Sequence, residues 1–156
     1  MKLYAAPLDF SDIAREFNVA RGFSPSAHAE AAELTDRFAD ARRDARDIPL
    51  VTIDPVGSMD LDQAVHIALH DGGFIVTYAI ADVAAFVEPE GEVREESLER
   101  GQTIYLPDEP ARLHPPELSE GSASLLPDVD RPAVLWTFLL DSAGEVRSAH
   151  VERALV

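Results

Sequence analysis

TIDPVGSMDLDQA, residues 52–64, separates two segments of different character in this sequence. A β-branched run at residues 49–53 leads into it and stops at Asp54-Pro55, and an alternating apolar pattern follows it. Pro55 and Gly57 are typical turn residues, so the stretch predicts a junction of strand, loop and strand. The loop is also acidic, and this feature decides how the rest of the chain is interpreted.

The acidic residues of the loop are Asp54, Asp60 and Asp62. Side chains two positions apart in an extended chain point the same way, so Asp60 and Asp62 are expected to face one point, and the loop can bring Asp54 back toward them. Converging carboxylates repel one another unless a cation neutralises them. Oxygen ligands without His or Cys favour Mg²⁺, Mn²⁺ or Ca²⁺, and Mg²⁺ on a few carboxylates is usual in phosphoryl chemistry. The loop is therefore a candidate metal site.

The residues alone leave other interpretations of this loop open. Asp-Pro and Gly-Ser are ordinary turn sequences, and in a chain with 29 acidic residues a few aspartates can simply be solvated. An EF-hand fits poorly, because the required glycine and the closing glutamate are missing. Structural Ca²⁺ binding and a pair of glycosidase carboxylates are further interpretations, although no other segment indicates a sugar site.

The segments after the loop predict a mainly antiparallel sheet with an inserted helix. Residues 64–70 and 74–80 flank Asp71-Gly72-Gly73, which predicts a β-hairpin. Residues 92–100 are polar and helix-prone, and Gly101 is a suitable C-cap. Residues 105–132 predict a long ordered loop with short helical turns. Residues 133–140 and 145–156 predict two further strands.

Residues 1–47 predict a helical N-terminal extension, and residues 48–156 a second unit that holds the sheet. The extension has a helical pattern at residues 8–19, with Ser11 as its cap, and an Ala-rich, charged helical segment at residues 25–46. No basic recognition face accompanies these helices, so DNA is not an expected partner. The fold class is α+β.

Composition limits the classes of protein to which the chain can belong. It has 156 residues, of which 46% are hydrophobic, and it contains no cysteine, so disulfides and thiolate metal sites are excluded. No apolar run approaches the roughly 20 residues needed to span a bilayer, and no secretory signal begins the chain, so we expect a cytoplasmic protein without membrane association. The net charge of −16 counts against nucleic acid as a partner.

Several ordered motifs nevertheless resemble the RNB catalytic domain of the ribonuclease II and ribonuclease R family. The resemblance runs from about Arg46 to the end of the chain. Its motifs, in register, are TIDP and DLDQA around the acidic loop, AIADV at 79–83, GQTIYLP at 101–107, PPELSE at 115–120 and SLLPDVDRPA at 124–133. Together these motifs are far more specific than any one of them.

The resemblance implies a Mg²⁺-dependent hydrolase, with Mn²⁺ as a substitute, that degrades single-stranded RNA from its 3′ end to 5′-nucleoside monophosphates. Asp54, Asp60 and Asp62 correspond to three of the family's four catalytic, metal-binding aspartates, and Asp62 to the one most closely tied to the chemical step. Gln63 stands at the fourth position, where its neutral carbonyl oxygen is a weaker metal ligand. Tyr105 corresponds to an aromatic residue that stacks near the RNA 3′ end.

Departures from the family pattern support an alternative, a catalytically weak or inactive RNB-like protein that binds RNA. Gln63 removes one negative charge from the metal site. Residues 1–45 are too few and too helical for the family's RNA-binding OB-fold domains, and the chain stops at Val156 inside a predicted strand, so we expect a fragment of a longer protein. The sequence does not indicate an oligomeric state.

Three further residues have two interpretations each, and a fourth has one. Asp82 either supports the candidate site or has a structural role. Arg112 and Arg131 either contact phosphate or pair within the chain. His114, like the other histidines near the site, has no metal-ligand spacing and is interpreted as a surface or loop residue.

Overall fold

The main sheet of this protein is built from five strands in the order β1-β7-β6-β3-β2 in the computed structural model, which describes residues 9–156. Neighbouring strands are antiparallel except β1 and β7, which are parallel. A small second sheet pairs β4 with β5. The strands are β1 (Arg43–Asp44), β2 (Gln63–His70), β3 (Gly73–Ala81), β4 (Ile104–Tyr105), β5 (Pro110–Ala111), β6 (Pro132–Leu140) and β7 (Val146–Leu155). The predicted α+β class with a mainly antiparallel sheet is confirmed.

The hairpin of β2 and β3 sets the register of the sheet next to the acidic loop. His70 pairs with Gly73, so the connection has two residues, Asp71 and Gly72, with φ of 46° and 78°. Positive φ at both turn residues is typical of a type I′ turn, which matches the twist of the strands it joins. The predicted hairpin is confirmed, and its register places Gln63 opposite Ile80.

The inserted helix and the Pro-rich loop also follow the sequence pattern. Helix α3 (Glu92–Arg100) ends at Gly101, whose φ of 71° is a conformation that glycine adopts without strain. At its other end the Glu92 N–H donates to the Glu30 carboxylate at 2.6 Å. The long loop contains a short π-helical turn at Leu118–Ser122, as the prediction of short helical turns requires.

The N-terminal helices are shorter than predicted. Helix α1 (Ser11–Glu16) has Ser11 as its first residue, so Ser11 is not the cap, and residue 8 lies outside the described residues. Helix α2 (Pro25–Glu33) ends before Leu34, which is extended with ψ of 136°. The predicted helical segment up to residue 46 is therefore wrong beyond α2, because part of it forms β1 against β7.

The predicted strand before the acidic loop is reduced to one bridge. Val51 and Val65 exchange two backbone hydrogen bonds, at 3.0 and 2.9 Å, and residues 52–62 form no regular ladder. The predicted division of the chain between residues 47 and 48 stays a prediction.

The core contains two clusters, and one of them anchors the acidic loop. Leu61 of the loop packs with small residues of the sheet and with Leu125, and only 7% of its surface is exposed. Burying a leucine contributes about 1.5–3 kcal/mol, so Leu61 holds the loop to the sheet. The second cluster joins the helices and the Pro-rich loop; its buried members are Ala27, Ala31, Ala85, Phe86, Val93, Leu118 and Ala123.

Among residues 9–156 no helix has both the length and the apolar character that a bilayer crossing requires.

Candidate functional site

The acidic loop begins with a tight turn. The carbonyl oxygen of Pro55 accepts a hydrogen bond from the Ser58 N–H at 3.1 Å, and Gly57 has φ of 91°. Positive φ at the third residue of a four-residue turn is typical of type II, where glycine is favoured. Val56, at the tip, is fully exposed. The turn leaves Asp54 at the start of the loop and directs the chain back toward the sheet.

Ser124, which is remote in sequence, holds the next part of the loop. Its hydroxyl Oγ donates to the Met59 carbonyl oxygen at 2.6 Å and accepts from the Leu61 N–H at 3.0 Å. The Leu125 N–H donates to the Leu61 carbonyl oxygen at 2.7 Å. The backbone on both sides of Asp60 is therefore fixed. Sequence analysis did not single out Ser124, because the serine lies 63 residues from its partner Leu61.

Asp62 connects this loop to the sheet. Its carbonyl oxygen accepts from the Ala81 N–H at 2.9 Å, next to the first pair of the β2–β3 ladder. The side chains of Asp54, Asp60 and Asp62 are exposed, and within residues 9–156 none of the three forms an ion pair or a side-chain hydrogen bond. Their carboxylates are free to accept a cation.

A small cleft of about 160 Å³ lies on one side of Asp62, and its polar lining consists of carboxylate, amide and hydroxyl groups. Asp54, Asp62, Gln63 and Tyr78 line it, together with apolar residues, and no basic residue is among them. The Tyr78 hydroxyl donates to the side-chain carbonyl oxygen of Gln63. The hairpin register could have identified Tyr78, because a two-residue turn places it opposite Val65, diagonal to Gln63.

A larger cleft of about 300 Å³ also includes Asp62 in its lining. Asp60, Tyr105 and Arg112 line it too, and Tyr105 is 78% exposed. The structure thus brings the predicted aromatic residue to the same cleft as two of the predicted aspartates. Arg112 pairs with Glu120 at 2.6 Å, so this arginine is partly neutralised within the chain.

The structure does not bring the aspartates to a single point. Residues 9–156 contain no group of three or more Asp, Glu, His or Cys side chains placed to hold one metal ion. Asp54 lines the small cleft, Asp60 lines the larger one, and Asp62 is the residue that the two linings share. The predicted convergence of all three carboxylates is therefore absent, and the assignment of these residues as metal ligands stays a prediction.

Asp82 has the structural role that sequence analysis left open. Its side chain is 1% exposed and accepts hydrogen bonds from Arg42 and Arg153, both at 3.0 Å. Arg42, 2% exposed, also donates to Asp36 at 2.5 and 2.8 Å, and these bonds hold the pKa of Asp36 below its ordinary value. The Arg153 guanidinium lies 3.9 Å from the centre of the Phe38 ring. This buried network joins the N-terminal segment to the end of the sheet.

The other open residues also pair within the chain. Arg131 Nε donates to the Ser124 carbonyl oxygen at 2.8 Å. His114 lies in a loop, as expected, but it is half-buried: burial lowers its pKa, and its Nδ1 lies 2.8 Å from the Ser97 hydroxyl.

The sequence is similar to those of known proteins. The family model that matches is described as the RNB domain and covers residues 42–156. Ribonuclease R of Acidithiobacillus ferrooxidans is 39% identical over 115 residues, which are 74% of this chain and 26% of that protein. Ribonuclease R of Chlamydia muridarum is 30% identical over 156 residues, which are 97% of this chain and 22% of that protein. The chain spans about a quarter of the length of these relatives.

Solved structures share the fold. Mycoplasma genitalium RNase R in complex with ribose-methylated single-stranded RNA superposes with a TM-score of 0.87 at 26% identity, covering 94% of this chain and 23% of that one. The same protein in complex with double-stranded RNA gives 0.87 at 26%, covering 94% and 27%. Yeast Ssd1, described as a pseudonuclease, gives 0.65 at 20% identity, covering 78% and 15%, which shows the fold alone. A shared fold therefore does not decide activity, and the residues of the site must.

Proposed function

The chain belongs to the RNB domain family, and on this premise we propose that it contributes the acidic site of a Mg²⁺-dependent 3′→5′ exoribonuclease acting on single-stranded RNA. The products would be 5′-nucleoside monophosphates. The observation that carries the proposal is the position of Asp62, where a cleft lined by oxygen atoms and a cleft lined by an exposed aromatic ring meet. The cytoplasmic location expected from composition stays a prediction.

The small cleft supplies ligands of the type that Mg²⁺ prefers. Asp54 and Asp62 offer carboxylates, Gln63 offers an amide oxygen, and no nitrogen or sulfur ligand lines the cleft. A bound ion would supply positive charge that neutralises these carboxylates and the phosphate of the RNA. In our proposal Asp54 and Asp62 hold the ion and Gln63 assists them. Asp60, on the other cleft, adds negative charge beside Asp62.

The larger cleft suits the last nucleotide of an RNA strand. Tyr105 presents an exposed ring, and a base can stack on such a ring whatever its sequence. Asp60 and Asp62 line the same cleft, so a stacked nucleotide would place its phosphate next to both. Because aspartates repel phosphate, RNA would enter productively only with the metal in place. This requirement reconciles the net charge of −16 with a nucleic-acid substrate.

The test is incubation of this chain with 5′-labelled single-stranded RNA in Mg²⁺, in Mn²⁺ and in EDTA, followed by gel analysis. We expect shortening from the 3′ end that needs a metal and that Asp62→Asn reduces by at least about 1,000-fold, equivalent to about 4 kcal/mol in the barrier. Asp71→Asn is the matched control, because Asp71 is an exposed turn aspartate with positive φ, which asparagine also tolerates. Equal loss in both variants would contradict the proposal.

A second candidate function is RNA binding without cleavage. The hydrogen bond from Tyr78 to Gln63 favours it, because it occupies an oxygen that the metal would otherwise receive at the fourth ligand position. RNA bound but never shortened, in any of the three conditions, would support this candidate over the enzyme.

A further inference from the structure

The hydroxyl of Ser124 is buried beside the acidic loop. Ser124 is 1% exposed, and its Oγ makes hydrogen bonds to the residues immediately before and after Asp60. We propose that Ser124 is a positioning residue for the acidic loop and keeps the Asp60 carboxylate beside Asp62, where its negative charge favours a bound cation. This inference rests on the proposed function and extends it to a residue that touches neither metal nor RNA.

A serine suits this task for a chemical reason. A hydroxyl carries one donor and can also accept, so a single Oγ satisfies a carbonyl oxygen and an N–H at the same time. The Met59 carbonyl oxygen takes the donor at 2.6 Å, and the Leu61 N–H uses the acceptor at 3.0 Å. Alanine would leave both backbone groups without this partner, and a buried unpaired group such as the Leu61 N–H is costly. The segment around Asp60 would then rearrange.

Ser124 is itself held in place. Its carbonyl oxygen accepts from Arg131 Nε at 2.8 Å, and the next residue, Leu125, donates to the Leu61 carbonyl oxygen at 2.7 Å. Leu61 and Leu125 pack in the same core cluster. The hydroxyl is therefore presented from a rigid base rather than from a free loop.

The acidic loop has few other restraints of this kind. Between the turn at Ser58 and the start of β2, the backbone hydrogen bonds of the loop go to Ser124, to Leu125 and to Ala81. The Ala81 bond fixes Asp62, whereas the Ser124 bonds fix the residues that flank Asp60. Loss of the hydroxyl should therefore affect Asp60 first, and the distance between Asp60 and Asp62 with it.

The experiment compares the wild-type chain with Ser124→Ala, with Ser124→Thr, which keeps a hydroxyl, and with the control Ser24→Ala. Ser24 Oγ accepts from the Ala27 N–H at 3.1 Å at the start of α2, so the control removes a backbone-binding hydroxyl far along the chain from the loop. Two readouts are used: Mn²⁺ affinity by electron paramagnetic resonance, and hydrogen exchange of the Leu61 amide by NMR.

We expect Ser124→Ala to weaken Mn²⁺ binding by up to about tenfold, because a displaced Asp60 carboxylate would attract the ion less strongly. Exchange of the Leu61 amide should accelerate by about tenfold, because that N–H loses its acceptor. Ser124→Thr should recover a large part of both losses. Ser24→Ala should leave both readouts unchanged, even where it lowers the melting temperature.

The outcomes separate this inference from the function it extends. Unchanged Mn²⁺ affinity in Ser124→Ala, in a chain whose binding Asp62→Asn abolishes, overturns the positioning role and leaves the proposed function intact. Absence of Mn²⁺ binding and of RNA cleavage in the wild type overturns the proposed function, and the positioning role toward metal with it. Equal weakening by Ser24→Ala would show that general destabilisation is the cause, which also overturns the inference.

Discussion

Asp62 immediately precedes β2 and Asp82 immediately follows β3, so both lie at the same end of the hairpin, yet their surroundings are opposite. Asp82 is buried and receives hydrogen bonds from two arginines. Asp62 is exposed and, within residues 9–156, has no basic partner. The Asp62 carbonyl oxygen and the Ala81 N–H, next to Asp82, are hydrogen-bonded to each other. A buried, paired aspartate and an exposed aspartate therefore lie side by side at one end of the hairpin.

This contrast teaches how the fold divides its acidic residues. A buried carboxylate must be paired, because an isolated buried charge is expensive. Arg42 and Arg153 satisfy that requirement at Asp82, which closes the site to any other cation. The acidic loop keeps its carboxylates unpaired and in water, where mutual repulsion is modest and a metal ion can relieve it. Structural and functional aspartates can therefore be distinguished by their partners.

The largest effect that tests this contrast is on stability. Asp82→Asn should lower the free energy of unfolding by about 3–5 kcal/mol, because it leaves the buried Arg42 with part of its charge unpaired. Asp62→Asn should change it by less than about 0.5 kcal/mol, as expected for an exposed residue without a partner. Urea unfolding of both variants measures the difference. Similar losses in both would show that the two aspartates are not divided in this way.

A smaller effect concerns Gln63, which stands at the position of the family's fourth aspartate. Gln63→Asp adds a negative charge to the small cleft, so we expect Mn²⁺ affinity to rise by roughly tenfold, or about 1.4 kcal/mol. Isothermal titration calorimetry measures the change in Mn²⁺ affinity. Gln102→Asp adds the same charge at an exposed position outside that cleft and should leave affinity nearly unchanged. An equal gain from Gln102→Asp would mean that overall charge, rather than the cleft, controls binding.

The smallest effect is on pH dependence and concerns His114, a half-buried residue that lines the larger cleft. Burial lowers its pKa in the folded state, so the unfolded chain binds the proton more tightly. The contribution of His114 to stability is therefore present above the unfolded value of about 6.5 and declines as pH falls below it. We expect His114→Gln to reduce the fall in Tm between pH 7.5 and pH 5.5.

The control for this measurement is His150→Gln, because His150 is a largely exposed histidine on β7. It should leave the pH dependence of Tm unchanged. An equal fall in Tm between pH 7.5 and pH 5.5 in the wild type and in His114→Gln would show that burial of this imidazole does not affect stability.

Local signals in the sequence predicted the elements that depend on neighbouring residues. The hairpin followed from a two-residue turn, and α3 followed from its polar composition and Gly101. The region around the acidic loop was identified from its turn residues and from motifs in register. These features need no knowledge of distant contacts, which is why a single sequence carries them.

Distant contacts account for what the sequence did not predict. The end of α2 at Glu33 reflects the recruitment of the following segment by the sheet and by the buried network, whose partners lie far along the chain. Ser124 was not identified because its partners, Met59 and Leu61, are remote in sequence. Asp54 and Asp60 line different clefts, so the spacing of the aspartates alone predicted a convergence of all three that the structure lacks.

The parallel pairing of β1 with β7 has a consequence for the order in which the chain folds. Arg42, just before β1, donates to the Ala154 carbonyl oxygen, 112 residues away in sequence. Closing so long a loop is entropically unfavourable, and contacts of this range form slowly, whereas a two-residue hairpin closes in microseconds. We therefore expect β2 and β3 to nucleate the sheet while Arg42 stays hydrated, and the N-terminal segment to dock last. In a chain emerging from a ribosome, the N-terminal segment would remain undocked until β7 had been synthesised.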